Sequence, residues 1–296
     1  MALQYAALRD TVCLEARGAD AATFLHAQLS RAIADIDRDF APLSAWADAR
    51  GRVRAILRVC RQADRWLLVT PRDGADTLLK KLRLFVLRAK VTLGRADDVG
   101  VAALLGNADE RLAAHDVHAA DARPNRVVRR DALSLIRVGP SYWQALGTEG
   151  ALLSFMAGVE EVSANEAALA EIELGIPALT SALAERFVAQ MLNLDELDAV
   201  SFDKGCYPGQ EVIARVHNLG GVKRRARRYA APAEPPAVGT PVVAAGLDVG
   251  EVIRSAATRT GCELLAVIEN AAAERPLSCA GALLAELPLP FVVPSD

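Results

Sequence analysis

The chain is expected to fold as α+β layers arranged in more than one domain, and three observations carry that expectation. Its 296 residues exceed one typical domain. Its first hundred residues alternate strand-like and helix-like patterns in the order strand, helix, hairpin, helix, which places helices over an antiparallel sheet. Its last seventy or so, by a rough reading, consist of short β-like runs divided by glycines, the pattern of a small barrel or sandwich.

The elements follow in order. TVCLEARG alternates apolar and polar residues and predicts a strand ending at Gly18. In ADAATFLHAQLSRAIADI, Phe24, Leu25, Leu29, Ile33 and Ile36 recur at helical spacing behind Asp20, a candidate N-cap. LSAWADARGRVRAILRVCRQADRWLLVTP predicts a hairpin turning at Ala49-Arg50-Gly51. DTLLKKLRLFVLRAKVTL begins as a helix and ends as a strand. From VAALLG to EGALLSFMAG the same rhythm returns more weakly, a hint of duplication without a residue-level repeat. EAALAEIELGIP predicts a short helix stopped by Gly175 and Pro177. KRRARRYAAPAEPPAVGTPV combines a basic run with clustered prolines and is expected to be a linker. The terminal LPLPFVVPSD is expected to pack as an extended strap.

Composition excludes several classes. The apolar fraction of 52% supports packed cores. A net charge of −3 offers no general attraction to nucleic acid or an anionic membrane. No apolar run approaches the roughly 18 residues of a membrane span, and MALQYAALRD lacks the pattern of a signal peptide. The expected location is cytoplasmic. The five cysteines Cys13, Cys60, Cys206, Cys262 and Cys279 are widely spaced and form no CxxC pair. This argues against a disulfide framework or a structural zinc site. Four of them sit in or near apolar runs and read as small core residues.

Cys206 differs because its neighbours form loops. In SFDKGCYPGQEVIAR, Pro208-Gly209 suits the centre of a type II turn. Gly205 permits positive φ or a close backbone approach. QEVIARV starts a helix with Val212, Ile213 and Val216 on one face. A loop before a helix start, with Lys204 two residues away, favours thiolate over thiol. Arg215 stands at i+4 from Glu211, the spacing of a solvated helix ion pair.

KGCYPGQEVIAR closely resembles the K-G-C-Y-x-G-Q-E signature of the YgfZ family, folate-binding relatives of the glycine-cleavage T-protein (an aminomethyltransferase) associated with iron–sulfur proteins. EIELGIP, AQMLNLDELDAVSF, GADAATFLHAQLS and ADARGRVRAIL resemble family segments in the same order. The resemblance implies a T-protein-like (GcvT-type) fold: two interlocked α/β domains and a C-terminal β-barrel around a central channel. Residues 1–98 with 178–225 would form the first, discontinuous domain, 99–177 the second and 226–296 the barrel.

It also implies tetrahydrofolate as cofactor. A pterin edge presents neighbouring donors to a carboxylate, the glutamate tail wants a cation, and the rings want an apolar or aromatic slot. The candidates are Glu173, Gln190, Asn193, Asp48, Gln210 and Arg215, with Tyr207 or Trp46 as a ring face and Cys206 with Lys204 as the reactive pair. The implied function is a folate-dependent accessory protein serving iron–sulfur client proteins, with a one-carbon transferase activity left open. The alternatives are a true aminomethyltransferase, for whose catalytic acidic motif no match is found, and a non-enzymatic binding protein linked to tRNA modification. In the last case the basic run 223–228 would contact tRNA, against the simpler reading of a solvated charge run.

Overall fold

A computed structural model describes residues 2–34, 36–115 and 123–294. Three sheets are present among them. A five-stranded sheet runs in the order Leu43–Ala47, Val53–Arg61, Arg65–Pro71, Thr11–Arg17, Thr92–Arg95. A six-stranded sheet runs Glu160–Glu161, Gln4–Ala7, Gly100–Leu105, Tyr142–Gly147, Leu133–Gly139, Val127–Arg130. A seven-stranded sheet runs Ala282–Leu283, Ser278–Cys279, Pro241–Ala244, Leu247–Thr258, Gly261–Glu269, Arg224–Ala231, Ala285–Leu287. The expected C-terminal barrel is this last sheet, curled into a half-barrel. Its curl draws on a register shift between Val252 and Arg254, since an extra residue in one strand bends and twists it. Gly250 allows close approach there: a Cβ on it would lie 2.3 Å from the Val267 carbonyl oxygen.

The chain divides into two compact units. One comprises Met1–His26, Ala32–Pro42 and Leu57–Ala167, and the other Ala27–Arg31, Leu43–Ile56 and Ala168–Asp296. In the first, Leu104, Leu135, Ala145, Trp143 and Phe155 form part of a buried cluster. Helix Ala75–Arg83 buries Ala75, Leu78, Leu79 and Leu82 as one stripe, with Asp76 in its first turn and Lys80, Lys81 and Arg83 in its last. Both charge placements complement the helix dipole. Thr148 caps helix Glu149–Met156 by accepting from the Ala151 N–H at 3.3 Å. In the second unit Val252, Leu264, Ala266, Ile268 and Tyr229 anchor the core of the curled sheet.

Two expectations need correction. The first helix spans only Ala21–Gln28. Asp20 stands at its N-cap position, as expected, and its carboxylate accepts from the Lys90 N–H at 2.6 Å. Beyond it, the His26 imidazole accepts from the Ile33 and Ala34 N–H groups at 3.2 and 3.1 Å, so the chain turns back on itself. Ile33 and Ile36 are buried all the same, so their spacing reports burial rather than helix. The second correction concerns the basic run. Residues 224–231 are a strand, not a linker. Each arginine in it has a carboxylate partner: Arg224 with Glu269, Arg225 with Asp195, Arg227 with Glu286 and Arg228 with Glu263. The C-terminal strap packs as expected, with Leu289 and Phe291 over Gly175.

Candidate functional site

The loop carrying Cys206 belongs wholly to the second unit. Tyr207 through Gln210 form the type II turn that Pro-Gly predicts: Gly209 has φ 82° and ψ −1°, and the Gln210 N–H donates to the Tyr207 carbonyl at 3.2 Å. Helix Gln210–Leu219 starts directly from it. Gly209 also meets the hairpin turn at Asp48–Gly51. A Cβ on Gly209 would stand 2.5 Å from the Asp48 carbonyl oxygen and 2.6 Å from the Gly51 Cα. A Cβ on Gly51, at φ 74°, would stand 3.0 Å from the Val212 Cβ. Two glycines, one in each turn, thus let the two turns lie back to back.

A second set of bonds fixes the loop to residues 29–31. The Ser201 N–H donates to the Ser30 carbonyl at 3.0 Å, and the Ser30 hydroxyl donates to the Ala199 carbonyl at 2.7 Å. Lys204 Nζ donates to the Leu29 and Arg31 carbonyls at 2.6 and 3.1 Å and lies 4.9 Å from the Tyr207 ring centroid. Burial lowers its pKa to about 8 even with these acceptors. Lys204 therefore works as an anchor of the loop. Gln210 closes the same loop by donating Nε2 to the Lys204 carbonyl at 3.1 Å.

Cys206 is exposed, and the four other cysteines are buried. Burial pushes the Cys13 thiol up to about 12 and raises those of Cys60, Cys262 and Cys279. Those four are inert thiols. The position before Cys206 is open as well. Gly205 has no positive φ, contrary to one reading of it, and a Cβ there would meet nothing within 4 Å.

The other candidates fall into distinct settings. Asp48 caps its own hairpin turn, accepting from the Arg50 and Arg52 N–H groups at 2.8 and 2.9 Å. Asn193 is buried at φ 55° and has both amide ends engaged, donating to the Ala226 carbonyl at 2.8 Å and accepting from Arg225 at 3.3 Å. Arg215 pairs with Glu211 at 2.8 Å across one helical turn, as its spacing predicts. Glu173 ends helix Ala164–Glu173 with its side chain exposed. Trp46 is fully buried, with the Arg54 guanidinium 5.2 Å from its ring centroid.

Gln190 and Tyr207 stand apart. Gln190 donates Nε2 to the Ile213 carbonyl at 2.7 Å, but its Oε1 is buried without a partner among the described residues. The Tyr207 hydroxyl is in the same state, and burial pushes its pKa up to about 12. An unsatisfied buried polar atom costs about 1–3 kcal/mol, so these two would suit polar groups of a folate, though other buried atoms such as Thr180 Oγ1 and Gln144 Oε1 are in the same state among the described residues. The sequence alone did not reveal the Ser30 hub or the stacking of Phe202 on His217, ring centroids 3.8 Å apart. The paired glycines were visible as residues, but not their meeting.

No protein-family profile matches the chain. Among curated proteins it is 31% identical over 212 residues to "tRNA-modifying protein YgfZ" of Colwellia psychrerythraea, covering 70% of this chain and 65% of that protein. It is 30% identical over 239 residues to the protein of the same name from Sodalis glossinidius, covering 78% of this chain and 73% of the other. The chain thus spans just under two thirds of the length of the first relative. Among solved structures, the glycine cleavage system aminomethyltransferase T from Bartonella henselae superposes with a TM-score of 0.79. That match covers 99% of this chain and 87% of the other at 16% identity, and it establishes the fold.

Proposed function

This chain belongs to the YgfZ family, and from that premise we propose that it is a tetrahydrofolate-binding accessory protein in tRNA modification that supports iron–sulfur client proteins through Cys206. The observation that carries this reading is the loop itself. An exposed thiol sits beside an open glycine, on a turn anchored by Lys204, with the unpartnered Tyr207 hydroxyl as its next neighbour in the chain. Tetrahydrofolate, when bound, supplies a carrier for a one-carbon unit. In this reading Tyr207 and Gln190 offer it their buried polar atoms, Glu173 accepts from the pterin edge, and Lys204 and Gln210 hold Cys206 in place. Asp48, Asn193 and Arg215 act indirectly, by keeping the turn, the strand and the helix in register. The link to tRNA modification comes from the name carried by the relatives.

Two measurements test the reading separately. Anaerobic calorimetry with tetrahydrofolate is expected to show saturable binding that Tyr207→Phe weakens, because only the hydroxyl is removed. No binding to the wild-type chain sinks the folate assignment. Cys206→Ser is expected to keep folate binding yet fail to restore an iron–sulfur enzyme under oxidative stress. Full restoration by Cys206→Ser removes the cysteine from the function.

A further inference from the structure

The arginines of strand Arg224–Ala231 are matched by carboxylates, but a different group is not. In the first unit a cleft of about 520 Å³ is walled by Arg17, Arg38, Arg61, Arg65 and Arg129. We propose that this cleft binds the phosphate groups of an RNA backbone, with Arg38 and Arg61 as the contacting residues. The inference rests on the RNA part of the proposed function and is independent of folate and of Cys206.

The division of labour among the five arginines carries the proposal. Three are committed to building the walls. Arg65 is held by Glu15 at 2.9 Å, Asp98 at 2.8 Å and Gln62 at 3.0 Å. Arg17 pairs with Glu15 and Asp64. Arg129 pairs with Asp39 at 2.9 Å and donates to the carbonyls of both Arg61, at 2.8 Å, and Arg38. Arg129 is thus a staple between the two backbone segments that carry the remaining guanidinium groups.

Those two groups have no carboxylate partner among the described residues. Arg38 is exposed. Arg61 lies over the buried Trp66, 5.4 Å from the ring centroid. Three carboxylates also line the cleft, Asp39, Asp64 and Asp131. Their side chains are 58%, 71% and 90% exposed, so solvent screens them. Asp64 is taken up by Arg17, Asp39 by Arg129 and Asp131 by Arg130, so Arg38 and Arg61 are the guanidinium groups of the cleft without a carboxylate among the described residues.

The residue type narrows the ligand. The cleft uses arginine throughout and no lysine, and a rigid guanidinium fork matches phosphate oxygens two at a time. Two guanidinium groups on separate, stapled segments suit successive phosphates of a chain better than one isolated anion.

The test uses the full-length chain and a fluorescein-labelled, unmodified tRNA transcript. Binding is followed by anisotropy across about 50 to 200 mM salt, where phosphate contacts produce a linear fall of log affinity with log salt. Arg38→Glu with Arg61→Glu is expected to weaken binding by about tenfold or more and to flatten that slope by about two. Arg224→Gln with Arg227→Gln on the basic strand is expected to stay within about twofold, since those charges are already matched. Circular dichroism melts check that each variant folds, and Arg38→Gln with Arg61→Gln replaces the charge reversal if it does not. A second arm measures tripolyphosphate with the same proteins. A double variant that binds tRNA with wild-type affinity and slope overturns the proposal. Loss of tripolyphosphate binding alone overturns it too, by assigning the cleft to free polyphosphate. A wild-type chain that binds no tRNA removes both this inference and the RNA part of the function, while leaving the folate measurement untouched.

Discussion

Two arginine-rich regions of this molecule differ in sequence and in how their charges are matched. Strand Arg224–Ala231 holds four arginines in five positions. The cleft of the first unit gathers five from four separate segments. In the strand every arginine meets a carboxylate, and Arg225 is buried in a bidentate pair with Asp195 at 2.9 and 2.9 Å while donating to the Gln190 carbonyl at 3.1 Å. In the cleft two arginines meet none among the described residues. A basic run in sequence is therefore a weak sign of a polyanion site. What decides is whether the fold brings acid to each base.

That contrast is breakable in graded steps. The largest effect is expected at Arg225: Arg225→Ala leaves Asp195 buried without its partner and costs about 3–5 kcal/mol in urea denaturation. Replacing both partners, Arg225→Met with Asp195→Leu, is expected to cost much less, and an equal cost would mean that the pair is not the cause. Arg129→Gln comes next at about 1–3 kcal/mol, because two carbonyls and Asp39 lose a donor. A loss below about 0.5 kcal/mol would show that the staple is not structural.

Lys204 is a cation of a third kind, half-buried and donating to the Leu29 and Arg31 carbonyls. Burial holds its folded pKa at about 8, below the usual lysine value of 10.5. Below pH 8 both folded and unfolded chains carry the proton, and the folded state bears the full cost of burying the charge. Between about pH 8 and 10.5 the unfolded chain binds more protons, so stability rises with pH there. The denaturation midpoint of the wild type is expected to gain on that of Lys204→Gln from pH 7.5 to 10, and a constant gap would contradict the burial of a charged lysine. The smallest effects are expected where arginines touch solvent. Arg38→Gln with Arg61→Gln is expected to change stability by less than about 1 kcal/mol despite its effect on RNA. Arg215→Ala is expected to cost only a few tenths of a kcal/mol for its exposed pair with Glu211.

Much of this molecule is legible in sequence, for local reasons. The Pro208-Gly209 turn was readable because a ring-fixed φ followed by a glycine admits few conformations. The hairpin at Asp48–Gly51 and the helix at Ala75–Arg83 follow from turn chemistry and apolar periodicity. The failures came where a local pattern has more than one explanation. Ile33 and Ile36 kept helical spacing but are buried in a turning chain. The arginines at 224–228 read as solvated because their acidic partners lie 30 to 59 residues away in the chain. The engagement of the Asp48 and Asn193 side chains with the chain's own backbone and Arg225 is likewise not visible from residue type.

By itself the amino-acid order determined the Asp48–Gly51 hairpin, the helix at Ala75–Arg83, the Cys206 turn and the family, because each depends on residues close together or on a motif of a dozen positions. Only the tertiary structure decided which charges are matched, that Lys204 anchors a loop, and that Gly51 and Gly209 meet. These depend on which distant groups become neighbours, and desolvation and charge pairing act through space rather than along the chain.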